Sequence, residues 1–368
     1  MSGNEGTGTA TGHFSGVPVE CPQETFPAVA SKDRDAELRR MSERELLATM
    51  LPKVCEATGC DDWFPVKRTM ERRDCRILFL ASKSGLRKSI ALKMFRGGAV
   101  SRNLAMNLHR RSAKLHAEST AECTVPEPVA CFHEENAWAM HYVNAPIAGS
   151  LLMRGCFSPS TRRKVIRQAG TWLRWFHGSF GETRMGFEAA HYLESLEKSG
   201  EKLGLAHHRG HDRFLGECVS EAKRIAADLN GRMMRHSTAH GDFTPFNLFV
   251  DRESAVGFDF RANQRLPIHH DMSRFLIYLD VYRLTPAPEG ELSRCGCRMS
   301  DFEGFMEAYG GDRSAVEDGT WLRLHFLELT RRLVSVSLPK PGIGNRLARL
   351  PESAALRRCA RAMLKGMD

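Results

Sequence analysis

The sequence predicts an α+β fold with two lobes: an N-terminal lobe built on a five-stranded antiparallel sheet with one helix, and a mainly helical C-terminal lobe. Two features predict this fold. Residues 63–143 contain short runs of alternating or continuous apolar character, which are typical of strands. Beyond residue 150, long segments repeat their apolar residues with helical spacing. At 368 residues, the chain is long enough for each lobe to bury a core of its own.

The first element follows a segment without a structural pattern. Residues 1–38 are rich in Gly, Ser, Thr, Pro and Glu, and we expect them to form a disordered tail. Ser42 and Glu45 have the spacing of a capping box, which predicts a short helix from there to about Val54. Pro52 lies late in this helix, and we expect it to kink the helix or to end it early.

The N-terminal lobe is predicted to span residues 39–143. Three strands separated by polar turns come first and read as an antiparallel meander, and one helix and two more strands follow. The strands are predicted at 64–68, 76–82, 89–95, 129–133 and 137–143, and the helix at 101–118.

The C-terminal lobe is predicted to span residues 144–368, and its first residues, 144–150 (NAPIAGS), are expected to connect the two lobes. A hairpin is expected inside this lobe, where Val250 and Asp251 precede a polar turn and the strand-like run AVGFDF. Helices are predicted at about 160–176, 192–198, 213–229, 273–282, 300–309, 321–335 and 353–365.

Composition limits the classes of function. No stretch approaches the roughly 18 to 20 apolar residues that span a membrane. The N-terminus lacks the basic start and apolar core of a secretory signal, so we expect a cytoplasmic protein. The 11 cysteines are scattered without a CxxC pair, which favours buried small apolar residues or inert surface thiols over disulfides or zinc.

The net charge of +9 keeps a nucleic-acid-binding protein open as an alternative, because a continuous basic patch binds phosphates. No nucleic-acid-binding motif accompanies this charge, and the paired arginines fall on predicted helices, where such side chains are most often solvated. We therefore rank nucleic acid low as a partner. A basic balance also suits an enzyme that handles phosphates.

One segment carries residues suited to chemistry. The stretch AHGDFTPFNLFVDRESAVGFDF, residues 239–260, places Asp242, Asn247 and Asp259 among residues that prefer an interior. Charged side chains in such surroundings cost free energy unless they are paired, hydrogen-bonded or bound to metal. One interpretation is that the two acids only cap turns. The other is catalytic, because a carboxylate can accept a hydroxyl proton, and amide and carboxylate oxygens suit Mg²⁺.

The pattern H-G-D-x-x-x-x-N, followed by a hairpin that ends in Asp, resembles the aminoglycoside phosphotransferase-like and choline kinase-like family of small-molecule kinases. This family has the protein-kinase-like fold, and the resemblance covers roughly residues 63–335. It implies that Asp242 is catalytic and accepts the proton of the acceptor hydroxyl or orients that hydroxyl. Asn247 and Asp259 would hold Mg²⁺ beside the phosphates of ATP.

The resemblance also assigns supporting residues in the C-terminal lobe. His240 is implied to support the catalytic loop from beneath without taking part in the chemistry. Asp271, which opens an apolar helix, is implied to hydrogen-bond the backbone of the same loop. A helix N-cap is the alternative for Asp271, and one side chain can fill both roles.

On the nucleotide side, Lys93 lies in the third predicted strand, at the position of the family's nucleotide-binding lysine. It is implied to bind the α- and β-phosphates. The alternative is an edge-strand lysine that points to solvent. The purine is expected beside the backbone of His141, Tyr142 and Val143, at the end of the last strand of the lobe.

Several features depart from the pattern of protein kinases. The helix predicted at 101–118 carries Arg110 and Arg111 near the place where a glutamate partner for Lys93 is expected, and its one acid, Glu118, lies late. The turn TMERRD contains no glycine, whereas protein kinases cover the phosphates with a Gly-rich loop. Gly241 replaces the arginine of the HRD motif, and no APE-like segment follows, which disfavours a protein substrate.

We therefore expect an ATP- and Mg²⁺-dependent enzyme that moves the γ-phosphoryl group to a hydroxyl of a small molecule. A sugar, a cell-envelope precursor or an aminoglycoside-like compound would serve as acceptor, and the basic balance favours a neutral or anionic one. The alternative is a nucleotide-binding regulatory protein of the same fold without turnover, suggested by the departures above. The presence of Asp242, Asn247 and Asp259 together favours the enzyme.

Overall fold

The structure is a computed structural model that describes residues 41–72, 75–83, 89–96, 99–154, 158–203, 212–260, 264–281, 289–293, 296–310, 319–338 and 350–367. The predicted tail, residues 1–38, lies outside the described residues. The predicted lobe boundaries, 39–143 and 144–368, stay predictions.

The N-terminal part folds around one sheet, as the sequence predicted. In chain order the elements are α1 (Glu43–Thr58), β1 (Trp63–Glu71), β2 (Cys75–Ser82), β3 (Ile90–Phe95), α2 (Ala99–Ala117), β4 (Cys123–Thr124), β5 (Pro128–Phe132) and β6 (Ala137–His141). The sheet has the strand order β1, β2, β3, β6 and β5, and each neighbouring pair is antiparallel.

Helix α1 begins at the predicted capping box. The Ser42 hydroxyl accepts the Glu45 N–H, and the Glu45 carboxylate accepts the Ser42 N–H at 2.7 Å. The expected early end at Pro52 is wrong, because the helix continues to Thr58 and ends at Gly59, which has a left-handed backbone with a φ of 62°. Pro52 removes one N–H donor from the helix, and burial of the helix against the sheet outweighs that loss.

The C-terminal part is mainly helical, which confirms the predicted fold class. In chain order its elements are α3 (Ala148–Arg154), α4 (Pro159–Ser179), β7 (Thr183–Gly186), α5 (Ala189–Lys202), α6 (Arg213–Leu229), β8 (Met233–Thr238), β9 (Leu248–Val250), β10 (Ala255–Gly257), β11 (Arg265–Pro267), α7 (His269–Val281), α8 (Met299–Tyr309), α9 (Thr320–Ser337) and α10 (Leu350–Met367). The sequence did not predict α3, β4, β7, β8 or β11.

Two small sheets hold the stretch 239–260, which lies between helices α6 and α7 in the chain. Strands β9 and β10 form the predicted hairpin, and β4 pairs in parallel with β10. Strand β8, which leads into the stretch 239–247, lies between β7 and β11. Both ends of that stretch are therefore fixed by strand pairing.

Apolar packing divides into three clusters. One lies between α1 and the five-stranded sheet, and includes Leu46 and Leu92. A second surrounds Trp172 of α4 and extends under residues 243–260. The third joins helices α5, α6, α9 and α10 around Phe326. The second cluster is the one that positions the stretch 239–260.

Within the described part of the chain, no helix combines the length and the apolar character needed to cross a membrane. The cysteines that the structure describes are free thiols, and most of them are buried. Their burial agrees with their interpretation as small apolar residues.

Candidate active site

A hairpin brings the predicted metal-binding residues toward each other. Asn247 ends a 3₁₀ turn immediately before β9, and Asp259 follows β10 by two residues. Leu248 pairs with Gly257 across the hairpin, and the Phe258 N–H donates to the Asn247 carbonyl at 3.1 Å. The twelve-residue spacing seen in the sequence is thus the length of one short hairpin.

Buried aromatic rings form a floor under this hairpin. Trp172 of α4 is fully buried and stacks on Phe243 at 5.5 Å and on Phe176 at 5.1 Å between ring centroids. A Cβ atom at position 257 would lie only 2.1 Å from the Trp172 ring, so the close approach of β10 to this floor requires glycine. The floor fixes the height of the hairpin above α4.

His240 lies on the same floor and links the loop to the hairpin. Its Nε2 is 3.1 Å from the Phe258 carbonyl, and the Asp242 N–H donates to its Nδ1 at 3.4 Å. Burial lowers the pKa of His240, and the nearby acids only partly oppose this shift. A neutral ring with its proton on Nε2 satisfies both contacts.

Asp271 holds the loop backbone from below. One oxygen accepts the His240 N–H at 2.7 Å, and the other accepts the Gly241 N–H at 2.9 Å. His177 Nε2 lies 3.2 Å from the same carboxylate. Because α7 begins at His269, Asp271 lies inside the first turn and bonds the loop rather than capping its own helix.

The protonation of Asp271 follows from this environment. Burial alone would raise its pKa, but the His177 hydrogen bond and the neighbouring histidines outweigh burial, so the pKa of Asp271 lies below its ordinary value. An ionised carboxylate is the form that can accept all of these hydrogen bonds.

Asp242 is held from two sides. Arg274 of α7 donates to its Oδ1 from Nε at 3.1 Å and from Nη2 at 2.7 Å. The Asn247 side-chain N–H₂ donates to the Asp242 carbonyl at 2.8 Å and lies 3.5 Å from Oδ2. Asn247 therefore turns its amide oxygen away from Asp242, and among the described residues none hydrogen-bonds that oxygen.

Lys93 reaches Asp259 across the two lobes. The two side chains form an ion pair between residues 166 positions apart in the chain. Strand β3 lies between β2 and β6, so the edge-strand alternative for Lys93 is wrong. Asp259 has a φ of 61°, a backbone conformation that non-glycine residues adopt mainly at functional or strained positions.

Helix α2 contributes an arginine near the place where the resemblance implied a glutamate. The Arg111 guanidinium lies over the rings of Phe180, at 4.9 Å, and Phe260, at 5.3 Å. Burial lowers its pKa to about 10, and the charge of Asp271 opposes that shift. Arg111 thus ties α2 to the residue directly after Asp259, and Asp259 itself pairs with Lys93.

The residues predicted to flank a purine lie at the end of β6. The N–H groups of His141 and Tyr142 already donate to the carbonyls of Glu127, at 2.8 Å, and Ser89, at 2.6 Å. The Val143 N–H makes no hydrogen bond within the described part of the chain. If a base binds here, the Val143 N–H is therefore the donor available to it.

The donor set fits a magnesium ion better than a transition metal. The described residues contain no group of three or more His, Cys, Asp or Glu side chains arranged for a metal. Asn247 and Asp259 instead offer one amide oxygen and one half-exposed carboxylate. Mg²⁺ is commonly held by one or two such oxygen ligands, with substrate phosphates and water completing its shell.

Sequence reasoning missed Arg274, and it noted Arg111 only because a glutamate was expected near its position. Neither belongs to a motif, and their contacts with Asp242 and with Phe260 became visible only in the fold. The only sequence signal for Arg274 is its place three residues after Asp271, on the same face of α7.

No protein-family model and no curated protein sequence matches this chain. Solved structures do resemble it. A choline/ethanolamine kinase family protein from Mesorhizobium loti superposes with a TM-score of 0.56 and 13% identity, covering 87% of this chain and 99% of that one. Spectinomycin phosphotransferase in complex with ADP and spectinomycin gives a TM-score of 0.53 and 13% identity, covering 87% and 98%.

A ternary complex of streptomycin, ATP and APH(2″)-IIa gives a TM-score of 0.51 and 11% identity, covering 86% of this chain and 98% of that one. Identities this low establish a shared fold. The chain therefore has the two-lobed, protein-kinase-like fold of these small-molecule kinases, as its sequence predicted.

Proposed function

We propose that this protein is a phosphotransferase that moves the γ-phosphoryl group of ATP to a hydroxyl group of a small molecule, with Mg²⁺ as its metal. One observation carries the proposal: Lys93 pairs with Asp259, the hairpin brings Asp259 toward Asn247, and Asn247 hydrogen-bonds Asp242. A cation, two metal-suited oxygen donors and a carboxylate base are the groups that phosphoryl transfer needs.

In the proposed reaction, the oxygen of the acceptor hydroxyl forms a bond to the γ-phosphorus, and the bond from that phosphorus to the β,γ-bridging oxygen breaks. ADP leaves with the electron pair of the broken bond. Asp242 takes the hydroxyl proton, and Arg274 orients its carboxylate for this task. Asn247 and Asp259 would hold Mg²⁺, which would supply positive charge for the phosphates.

The supporting residues have separable tasks in this proposal. His240 and Asp271 hold the loop that carries Asp242, and they touch no substrate. Lys93 exchanges Asp259 for the α- and β-phosphates when ATP binds, and the purine lies beside His141, Tyr142 and Val143. The nucleotide would thus lie between the N-lobe (39–143) and the C-lobe (144–368).

The acceptor is proposed to be a neutral or anionic compound such as a sugar or a cell-envelope precursor. Aminoglycosides are polycations, and the chain carries a net charge of +9. Repulsion at this charge disfavours them, although two of the structural neighbours have spectinomycin or streptomycin bound. The cytoplasmic location expected from the sequence stays a prediction.

A second candidate is a nucleotide-binding regulatory protein without turnover. The observation that favours it is on α2, where Arg111 packs on Phe260 and Lys93 is left with Asp259 as its acidic partner. A site arranged in this way could bind nucleotide without aligning it for transfer.

The test is ATP consumption with Mg²⁺ across a panel of sugars, choline, hydroxy amino acids and aminoglycosides. Turnover on one acceptor class that disappears in Asp242→Ala supports the enzyme. Asp242→Ala should keep nucleotide binding, whereas Asn247→Ala and Asp259→Ala should weaken binding of the metal–nucleotide complex. Stabilisation by Mg-ATP without turnover on any acceptor supports the regulatory protein, and absence of any nucleotide binding refutes both.

A further inference from the structure

Arg274 binds one oxygen of the Asp242 carboxylate, and the Asn247 side-chain N–H₂ lies 3.5 Å from the other. Arg274 lies on α7, one turn after Asp271, so the same helix holds the loop backbone and the carboxylate of Asp242. Both of its hydrogen bonds to Asp242, from Nε and Nη2, go to one atom, Oδ1. The guanidinium therefore meets the carboxylate with a single edge.

The other edge of this guanidinium has donors to offer. An arginine side chain carries five N–H donors in a planar fork, and Asp242 occupies two of them. Within the described part of the chain, Arg274 makes no further hydrogen bond. Its side chain is 27% exposed, so the remaining donors reach the solvent-accessible side of the site.

The charges around Asp242 show where an anion would be stabilised. Lys93 lies on the nucleotide side and is paired with Asp259. Arg274 binds Asp242 itself, and the buried Glu328 is the other acid that acts on its charge. A second cation, in addition to Lys93, thus lies beside the carboxylate that would receive the hydroxyl proton.

Transfer of a phosphoryl group spreads negative charge over its three equatorial oxygens, and enzymes stabilise this charge with prepositioned cations. Arginine is well suited to this task because its planar fork matches phosphoryl oxygens and keeps its charge. A guanidinium fixed to the catalytic carboxylate is prepositioned in this sense, because its orientation does not have to be found during the reaction.

We propose that Arg274 is a catalytic residue that hydrogen-bonds an oxygen of the γ-phosphoryl group during transfer, while its other edge orients Asp242. This inference rests on the proposed phosphotransferase function. The bonds made and broken are those given above, the proton passes from the acceptor hydroxyl to Asp242, and Arg274 neither gains nor loses a proton.

The test compares ligands that differ only at the γ-position, because no acceptor is needed to bind them. Dissociation constants are measured by calorimetry for Mg-ADP and for Mg-ADP with aluminium fluoride, which occupies the position of the transferring phosphoryl group. The variants are Arg274→Met, Arg274→Lys and the control Arg163→Met, which removes an exposed arginine of α4.

Wild-type protein and Arg163→Met should bind the fluoride complex more tightly than Mg-ADP alone. Arg274→Met should bind Mg-ADP with a dissociation constant within about twofold of wild type. Its gain in affinity due to aluminium fluoride should be about 10- to 100-fold smaller than that of wild type, which is the range for the loss of a hydrogen bond to a charged group. Arg274→Lys should keep part of this gain, because it keeps the charge but not the fork.

A second comparison separates direct contact from an effect through Asp242. In an Asp242→Asn background, Arg274→Met should still reduce the gain due to fluoride if Arg274 touches the phosphoryl group. If Arg274→Met leaves the gain in affinity due to fluoride unchanged in even one of the two backgrounds, the proposal for Arg274 is overturned while the proposed phosphotransferase function stands. If wild-type protein binds neither ligand, the proposed function falls, and the role of Arg274 falls with it. Should Arg274→Met fail to fold, Arg274→Lys and Arg274→Gln carry the same comparison.

Discussion

Replacing Asp271 with asparagine should loosen the loop that carries Asp242. The carboxylate is 1% exposed, and its two oxygens accept the N–H groups of His240 and Gly241 and a hydrogen bond from His177. An asparagine has the same shape but only one acceptor oxygen. Whichever way its amide turns, an N–H₂ group faces a backbone N–H, and that buried donor loses its partner.

The contacts set the size of the effect. A buried N–H without a partner costs about 1–3 kcal/mol. The bonds that remain change from charged to neutral acceptors, which have roughly half the strength. We therefore expect Asp271→Asn to lower the free energy of unfolding by about 3 kcal/mol at neutral pH. The lowered pKa of Asp271 has the same sign: its contribution is present above the ordinary value of 3.8 and is lost as pH falls below it.

Urea unfolding measures the loss of stability, and amide hydrogen exchange locates it. The matched control is Asp301→Asn, because Asp301 is also buried and binds Arg162 through both oxygens, in the contact between α4 and α8. Both variants should lose stability, but only Asp271→Asn should speed exchange at His240 and Gly241. An Asp271→Asn protein within 1 kcal/mol of wild type, or one with unchanged protection at these two amides, would refute this reasoning.

Two further predictions concern His325, a buried histidine of α9, and Gly257 of β10. Burial lowers the pKa of His325 from 6.5 to about 3, so as pH falls this histidine takes up a proton in the unfolded state before it does so in the folded state. Between pH 7.5 and pH 5, His325 should therefore lower the free energy of unfolding by about 2 kcal/mol. His325→Phe should reduce the change in urea-derived stability over this range by that amount, leaving the dependence due to His240 and His109, whose pKa values burial also lowers. An unchanged slope contradicts this. Gly257→Ala should cost about 3 kcal/mol or more, because its Cβ would meet the Trp172 ring. Gly216→Ala, in open space on α6, should change thermal stability little, and equal melting points for the two alanine variants would contradict this account.

The parts of the site that sequence reasoning predicted are those in which residues close in the chain act together. The spacing from Asp242 to Asn247 and Asp259 is spanned by one turn and one hairpin, so local structure alone brings these residues together. The capping box at Ser42 and Glu45 is local in the same way. The five-stranded sheet was predictable because its strands are short runs of alternating or continuous apolar character.

The parts that were missed depend on distant contacts or on very short elements. Arg274 is one of 53 Lys and Arg residues, and nothing local marks it until the fold places it beside Asp242. Arg111 was noted only because a glutamate was expected near its position, and its contact with Phe260 depends on the fold. Strands such as β11, with three residues, are too short for alternation to be detected. The partner of Lys93 was left open because it lies 166 residues away, across the two parts of the molecule.

The acids of the apolar stretch 239–260 are tolerated for two different reasons. Asp242 is partly exposed and is held by hydrogen bonds from Arg274 and Asn247. Asp271 beneath it is buried, so water does not compete with its hydrogen bonds and each of them is stronger. Asp259 is instead half-exposed and paired with Lys93. In the proposed function, a nucleotide with its metal would supply an anion for Lys93 and a cation for Asp259, so it would replace this ion pair without leaving either charge alone. The hydrogen bonds around Asp242 and Asp271 would then stay in place while the pair of Lys93 and Asp259 is exchanged.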